Sequence, residues 1–312
     1  MKKFYLSLFT IAALVSCNTI NPNLRKTDLK ILAPTGAPAV SMYKFANGLT
    51  TVTNPQLDLI PMFQQNTYDV IVAPAKGGLT QIIKKNANYK MAAVVTFGNF
   101  ALVSTGNDAD GVLNEGDKVL YFQPNDIPGS VFDYLYGGLG LETYSVEAAN
   151  LTVNALKTGT YKLNETTTIN LDYVFSAEPM ITNAGKANKV YERSSEVFNA
   201  KTSGKKIIQA AVFVNNNSSE AKIDEFLTLL ESDISSALSN ANNLKTYMNL
   251  YGSSDEQKAL YGFDSLTVYG CMKDYNGLGL GYIRAKEYKE DINYFINDIL
   301  KGGLTIGEEV YF

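Results

Sequence analysis

Residues 68–73 read YDVIVA, stop at Pro74 and give way to a helical stretch over 77–85. The chain repeats this unit. Residues 29–33 (LKILA) end at Pro34-Thr35-Gly36, and a helical spacing then runs over 38–47 with Gly48 as its stop. Residues 118–122 (KVLYF) precede a helix over 129–136, stopped by Gly137-Gly138. Residues 171–175 (LDYVF) lead through Glu178-Pro179 into a helix ending at Asn183. Near-continuous apolar strands must be covered on both faces, and strands separated by helices pair in parallel. The pattern predicts an α/β protein with a parallel sheet covered by helices on both faces.

Other stretches fit the same scheme. Residues 57–62, 91–95, 100–104 and 144–147 read as strands, and 151–157 as a helix. Residues 218–251 read as helical, with Ile223, Phe226, Leu227 and Leu230 as the buried stripe. A last helix is expected over 287–300, with Ile292, Phe295, Ile296 and Leu300 inward. The polar break 107–117 and the long β-type run 206–214 mark two crossings. They divide the chain into a first lobe, 29–106 plus 212–312, and a second lobe, 107–211. A length of 312 residues suits two such units.

Composition removes several chemistries. The chain has no His, which excludes Ser-His-Asp triads, Cys-His pairs and His-ligated metals. A formal net charge of −4 offers no basic face for nucleic acid. No Walker A loop and no G-x-G-x-x-G after a strand is present, and the Gly-rich 277–281 reads as a loop. No cofactor and no metal is expected. Two short motifs point toward penicillin-interacting serine enzymes: Ser41-Met42-Tyr43-Lys44 fits S-x-x-K and Lys157-Thr158-Gly159 fits K-T-G. No S-D-N equivalent lies between them, and Ser41 falls inside a predicted helix. A non-enzyme is expected.

The N-terminus reads as an address. Lys2 and Lys3 precede an apolar stretch over 4–15 that is too short to span a bilayer. Leu14-Val15-Ser16-Cys17 follows and resembles a bacterial lipobox. That resemblance implies a signal peptide over 1–16 and a Cys17 thiol that receives diacylglycerol. Residues 17–28 would then be a lipidated tether, placing the protein outside the cytoplasm on the membrane through its acyl chains. The other cysteine, Cys271, is a lone thiol that reads as a small core residue.

Three segments in order carry a larger resemblance. YDVIVAPAKGGLTQIIKKNANYKMAAVVTFGNFALVST matches strand, Pro-small turn, helix and the strand entering a second lobe. DYVFSAEPMITNA ends in a Glu-Pro turn. EAKIDEFLTLLESDISSAL resembles a long helix after a return strand. With the lipobox, the chain resembles type II solute-binding lipoproteins of ABC importers, nearest the nitrate, sulfonate, taurine and thiamine-precursor branch. The resemblance covers most of residues 29–312. It implies a two-lobed periplasmic-binding-protein fold with mixed sheets, helices on both faces and two hinge crossings, a small-molecule ligand between the lobes, permease subunits as partners, and a monomer. A surface lipoprotein that keeps this fold but binds other proteins is the alternative.

In such a fold, ligands sit at the carboxyl ends of the strands. The loops there supply the candidate contacts. Thr35, Gly36 and Ala37 lie at the first strand–helix junction, where the Thr35 hydroxyl either meets ligand or caps the helix. Ala75 and Lys76 occupy the equivalent later turn, with Lys76 either meeting an anion or solvated. Phe97 and Asn99 fall near the hinge. Asn125, Ile127, Gly129 and Ser130 sit at a helix start, where the amides of Gly129, Ser130 and Val131 could hold an anion unless Asp126 caps the helix itself. Glu178 either receives a ligand N–H or bonds across the cleft. No Arg falls on these loops, which argues against an amino-acid ligand held by a guanidinium clamp. A small anion or a planar heteroaromatic compound is expected.

Overall fold

The computed structural model describes residues 23–107 and 110–312. The signal segment and Cys17 lie outside the described residues. The strands in chain order are β1 (Ile31–Pro34), β2 (Leu49–Val52), β3 (Val70–Pro74), β4 (Tyr89–Thr96), β5 (Phe100–Ser104), β6 (Lys118–Phe122), β7 (Glu142–Val146), β8 (Thr160–Lys162), β9 (Thr168–Asn170), β10 (Tyr173–Ala177), β11 (Val190–Arg193), β12 (Ala210–Asn215) and β13 (Leu280–Arg284). They form a six-stranded sheet, β13-β4-β12-β3-β1-β2, and a five-stranded sheet, β11-β5-β10-β6-β7. The hairpin β8-β9 stands apart.

Both sheets are mixed, as the resemblance implies, and not parallel throughout as the alternation of strands and helices predicts. In the first, β1 pairs in parallel with β2 and β3, while β12 runs antiparallel to β3 and β4. In the second, β6 pairs in parallel with β7 and β10, and β5 runs antiparallel to β10 and β11. Strands β3 and β12 are buried along nearly their whole length, because helices cover both faces.

The crossings differ in detail from the sequence reading. β5 belongs to the second sheet, so the chain first changes lobe at Phe97–Gly98–Asn99, ahead of the polar break at 107–117. It returns through residues 206–209 into β12. Two glycines make the first crossing compact. Gly98 has φ +87°, and a Cβ there would lie 2.8 Å from Ile207 Cδ1 on the return crossing. Gly279 has φ +61°, and its Cβ would lie 3.0 Å from the Gly98 carbonyl.

Further local readings change, among them the helix over 38–47, which is an α-helix at Ala37–Ser41 and a tighter 3-10 stretch at Tyr43–Gly48. Residues 57–62 form no strand: Asn54 caps a single wide turn over Pro55–Leu59, and a short helix follows at Met62–Gln65. Leu57, which the strand reading used as an apolar position, is 73% exposed. The helix expected over 218–251 is two helices, Glu220–Ser239 and Asn242–Tyr251, because Asn240 is extended. The Gly-rich 277–281 is not a loop alone but runs into β13. The predicted stripes hold: Ile223, Phe226, Leu227 and Leu230 are buried, as are Ile292, Phe295, Ile296 and Leu300.

The end of the stretch 17–28, expected from sequence to be a tether, packs on the first lobe. Arg25 donates through Nη2 and Nε to Asp233 at 2.7 and 3.2 Å, and its backbone N–H donates to the Lys44 carbonyl. Lys44 Nζ adds a contact to Asp233 at 2.9 Å. The chain is therefore fixed to the first lobe from Arg25 onward.

Candidate functional site

The parallel strands of the two sheets end facing one another. β1 ends at Pro34, β3 at Pro74, β6 at Phe122, β7 at Val146 and β10 at Ala177. The residues just beyond them enclose a cavity of about 520 Å³ between the lobes. That size falls in the range of small-molecule sites. β5 and β12, running antiparallel, bring their first residues, Phe100 and Ala210, to the same place.

Six of the sequence-chosen residues line this cleft: Thr35, Gly36, Ala37, Asn99, Ile127 and Glu178. The other six do not. Ala75 is fully buried below the cleft, its N–H donating to the Gln209 carbonyl. Lys76 turns away, because its ammonium donates to the Leu300 carbonyl at 3.0 Å. Phe97 packs behind the hinge over Gly281, with the Lys206 ammonium 4.9 Å above its ring. Asn125 is exposed outside the lining.

Gly129 and Ser130 form no anion cradle. The Gly129 N–H donates to the Gln123 carbonyl at 3.1 Å and the Ser130 N–H to the Asp126 carbonyl at 3.0 Å. Asp126 also accepts from the Ile127 N–H, so the positive end of this helix already holds a carboxylate. Gly129 serves packing: a Cβ there would lie 2.5 Å from Pro124 backbone atoms.

The floor is a polar knot that joins both crossings. Gln209 Oε1 accepts from the N–H groups of Gly98 and Asn99, and its Nε2 donates to Asn99 Oδ1 at 2.9 Å. The Asn99 amide donates in turn to the Glu178 carbonyl, and the Glu178 N–H donates to the Asn99 carbonyl. The Glu178 carboxylate, 3% exposed, accepts from the Thr182 N–H and hydroxyl and from Tyr275 Oη. Tyr275 precedes β13, so this last bond links the two lobes. The buried Cys271 thiol lies 3.6 Å from the same carboxylate, and burial together with that charge pushes its pKa up. That thiol is a poor nucleophile.

Gln209, Gln56, Gln123 and the aromatic wall of Phe100, Phe122 and Phe263 were not chosen from sequence. Gln209 left a signal, a lone amide in the apolar run IIQAAVFV. Gln56 follows Asn54-Pro55, a turn signature. At the mouth, Gln56 Nε2 donates to Asp126 Oδ2 at 3.3 Å, from one lobe to the other.

The serine-enzyme motifs are not assembled. Ser41 is buried with its hydroxyl donating to the Pro38 carbonyl, Lys44 is paired with Asp233, and Lys157 belongs to the other lobe. Among the described residues no cluster of acidic or thiol groups is arranged to hold a metal, and no helix is long and apolar enough to cross a membrane.

No protein-family model and no curated protein matches the chain. Solved structures match its fold. An ABC transporter structure from Parabacteroides distasonis is similar over 90% of this chain and 98% of its own, with a TM-score of 0.66 and 15% identity. The aliphatic sulphonate binding protein of Escherichia coli is similar over 91% of this chain and 95% of its own, at a TM-score of 0.56 and 10% identity. The alkanesulfonate-binding protein of Xanthomonas axonopodis pv. citri, bound to MOPS, is similar over 88% and 95%, at 0.54 and 11%. The chain has the two-lobed, type II fold of ABC-transporter solute-binding proteins.

Proposed function

We propose that this chain is an extracytoplasmic solute-binding protein that captures a small molecule between its lobes and hands it to an ABC permease. The observation that carries this reading is the open cavity at the facing strand ends, joined below by two crossings that one glutamine ties together. Two lobes on two crossings can close over a ligand, and a permease can read the closed state. A cleft that side chains leave unfilled, with polar groups at its rim, supports transport over the alternative of a surface protein that only keeps the fold. We further propose that Cys17 carries the lipid anchor, with the short leash to Arg25 holding the first lobe near the membrane.

A dialysable fraction of spent growth medium tests the first reading. Added to the chain from Asn18 onward, it should raise the melting temperature and compact the solution scattering profile. A ligand at about 100 times its dissociation constant adds roughly 2.7 kcal/mol. A fraction that stabilises without compaction counts against transport. Labelled palmitate should enter the full chain and fail to enter Cys17→Ser.

A further inference from the structure

The charge of the cleft narrows the class of solute, on the reading that the chain is a binding protein. Asp126, Glu147 and Glu178 line the cavity, and among the described residues no Lys or Arg does. The ion pairs among the described residues use none of these three carboxylates. The Glu178 oxygens are filled by Thr182 and Tyr275. Asp126 is shared between the Ile127 N–H and Gln56. Glu147 stands exposed at the rim of the second lobe.

The backbone amides of the loops at Thr35 and Gly129 do not offset this charge. The Thr35 and Gly36 N–H groups donate to the carbonyls of Val52 and Tyr261, and those of Gly129 and Ser130 are used within their own turn. An anion entering here would meet three like charges and lose its water without a compensating cation. Apolar rings line the same cavity: Phe100 and Phe122 of the second lobe meet with ring centroids 5.9 Å apart, and Phe263 of the first lobe adds a third ring. Aromatic faces attract cations as well as rings.

We propose that the cleft takes a small organic cation, an ammonium or amidinium group on an apolar, ring-sized body. The charge faces Glu147 and Asp126, and the body lies against Phe100, Phe122 and Phe263. Of the two ligands expected from sequence, a small anion or a planar heteroaromatic compound, this departs from the anion, and it separates this chain from the sulfonate-binding structures that share its fold.

Four ring compounds of similar size test the assignment: benzylamine and benzamidine as cations, benzyl alcohol as the neutral form, and benzenesulfonate as the anion. Calorimetry reads affinity and solution scattering reads lobe closure. The cations should bind and close the lobes, and their affinity should fall with added salt. Glu147→Gln, at an exposed position that does not disturb folding, should weaken them about three- to tenfold. Asp126→Asn, which keeps a capping side chain, should do the same. Binding and closure with benzenesulfonate or benzyl alcohol in preference to the cations overturns the cation assignment and leaves the binding-protein reading standing. Cation binding that neither salt nor Glu147→Gln alters also overturns it. No binding and no closure with any of the four, in a folded protein that the medium fraction still compacts, overturns the cation assignment alone, and silence toward the medium fraction as well overturns both.

Discussion

Tyr275, on the turn before β13, donates its hydroxyl to Glu178 Oε1 at 2.5 Å, reaching from the first lobe to the floor of the second. The Arg193 guanidinium lies 3.3 Å from the centre of the Tyr275 ring, on the side away from the cleft. Burial and the Glu178 bond push the Tyr275 pKa up, so the hydroxyl stays a donor through the physiological range. Removing that donor leaves a buried carboxylate one partner short.

Tyr275→Phe should therefore destabilise the protein by about 1.5–3 kcal/mol, the range for hydrogen bonds to charged groups. Because the bond joins the lobes, the variant should also give a larger radius of gyration without ligand. Denaturant titration and solution scattering check both. Destabilisation with an unchanged radius would make the bond a local support and not a link between lobes.

The first crossing should tolerate little. Gly98→Ala combines a positive φ with a Cβ 2.8 Å from Ile207 Cδ1. Gly106→Ala has a similar φ of +91° with nothing within 4 Å. Backbone strain of this kind costs about 1–3 kcal/mol in both. Overpacking adds about 1 kcal/mol or more to Gly98→Ala alone. Thermal unfolding of the two variants side by side isolates the contact; equal losses would mean that the crossing yields.

How far the sequence spoke depends on the kind of signal. Strands such as β3 and β12 were legible because burial on both faces leaves an unbroken apolar run. The loops after them were legible as loops, and Thr35, Asn99 and Glu178 do reach the cleft. The direction of a side chain was not. Lys76 leaves its loop for the Leu300 carbonyl, a partner 224 residues away in sequence. The amides of Gly129 and Ser130 are consumed by Gln123 and Asp126, a matter of turn geometry that composition does not encode. Leu57 misled because an apolar residue at a cleft rim looks like a strand residue until exposure is known. The glycines of 277–281 read as loop, yet Gly281 lets Phe97 lie against β13, with no room for a Cβ between them.

Asp233 concentrates charge in the first lobe. Its side chain is 1% exposed and contacts Arg25 and Lys44, and Tyr43 Oη donates to its carbonyl at 2.9 Å. Asp233→Asn keeps the shape and removes the charge, leaving Lys44, 10% exposed, without its counter-ion. Breaking a buried pair from one side costs about 3–5 kcal/mol. Chemical denaturation should show a loss of that order, and proteolysis near Arg25 should quicken as the N-terminal segment comes free. A loss below about 1 kcal/mol would mean that water reaches the pair.

Acid should weaken the helix Ser265–Met272 by a defined route. Asp264 caps it, accepting from the Thr267 N–H and hydroxyl at 2.9 Å each. The backbone bond from Thr267 chiefly holds its pKa below the usual value, against some desolvation. A carboxylate depressed in the folded state stabilises most above its unfolded pKa of about 3.9, and that share disappears as pH falls through the lower, folded value. Asp264→Ala should cost about 1 kcal/mol at neutral pH, the usual loss for a cap. The difference between variant and parent should stay flat from neutrality down to about pH 4 and shrink below it. Urea midpoints measured across that range check the sign. A difference that persists unchanged into stronger acid would mean that the cap acts through its shape and not through its charge.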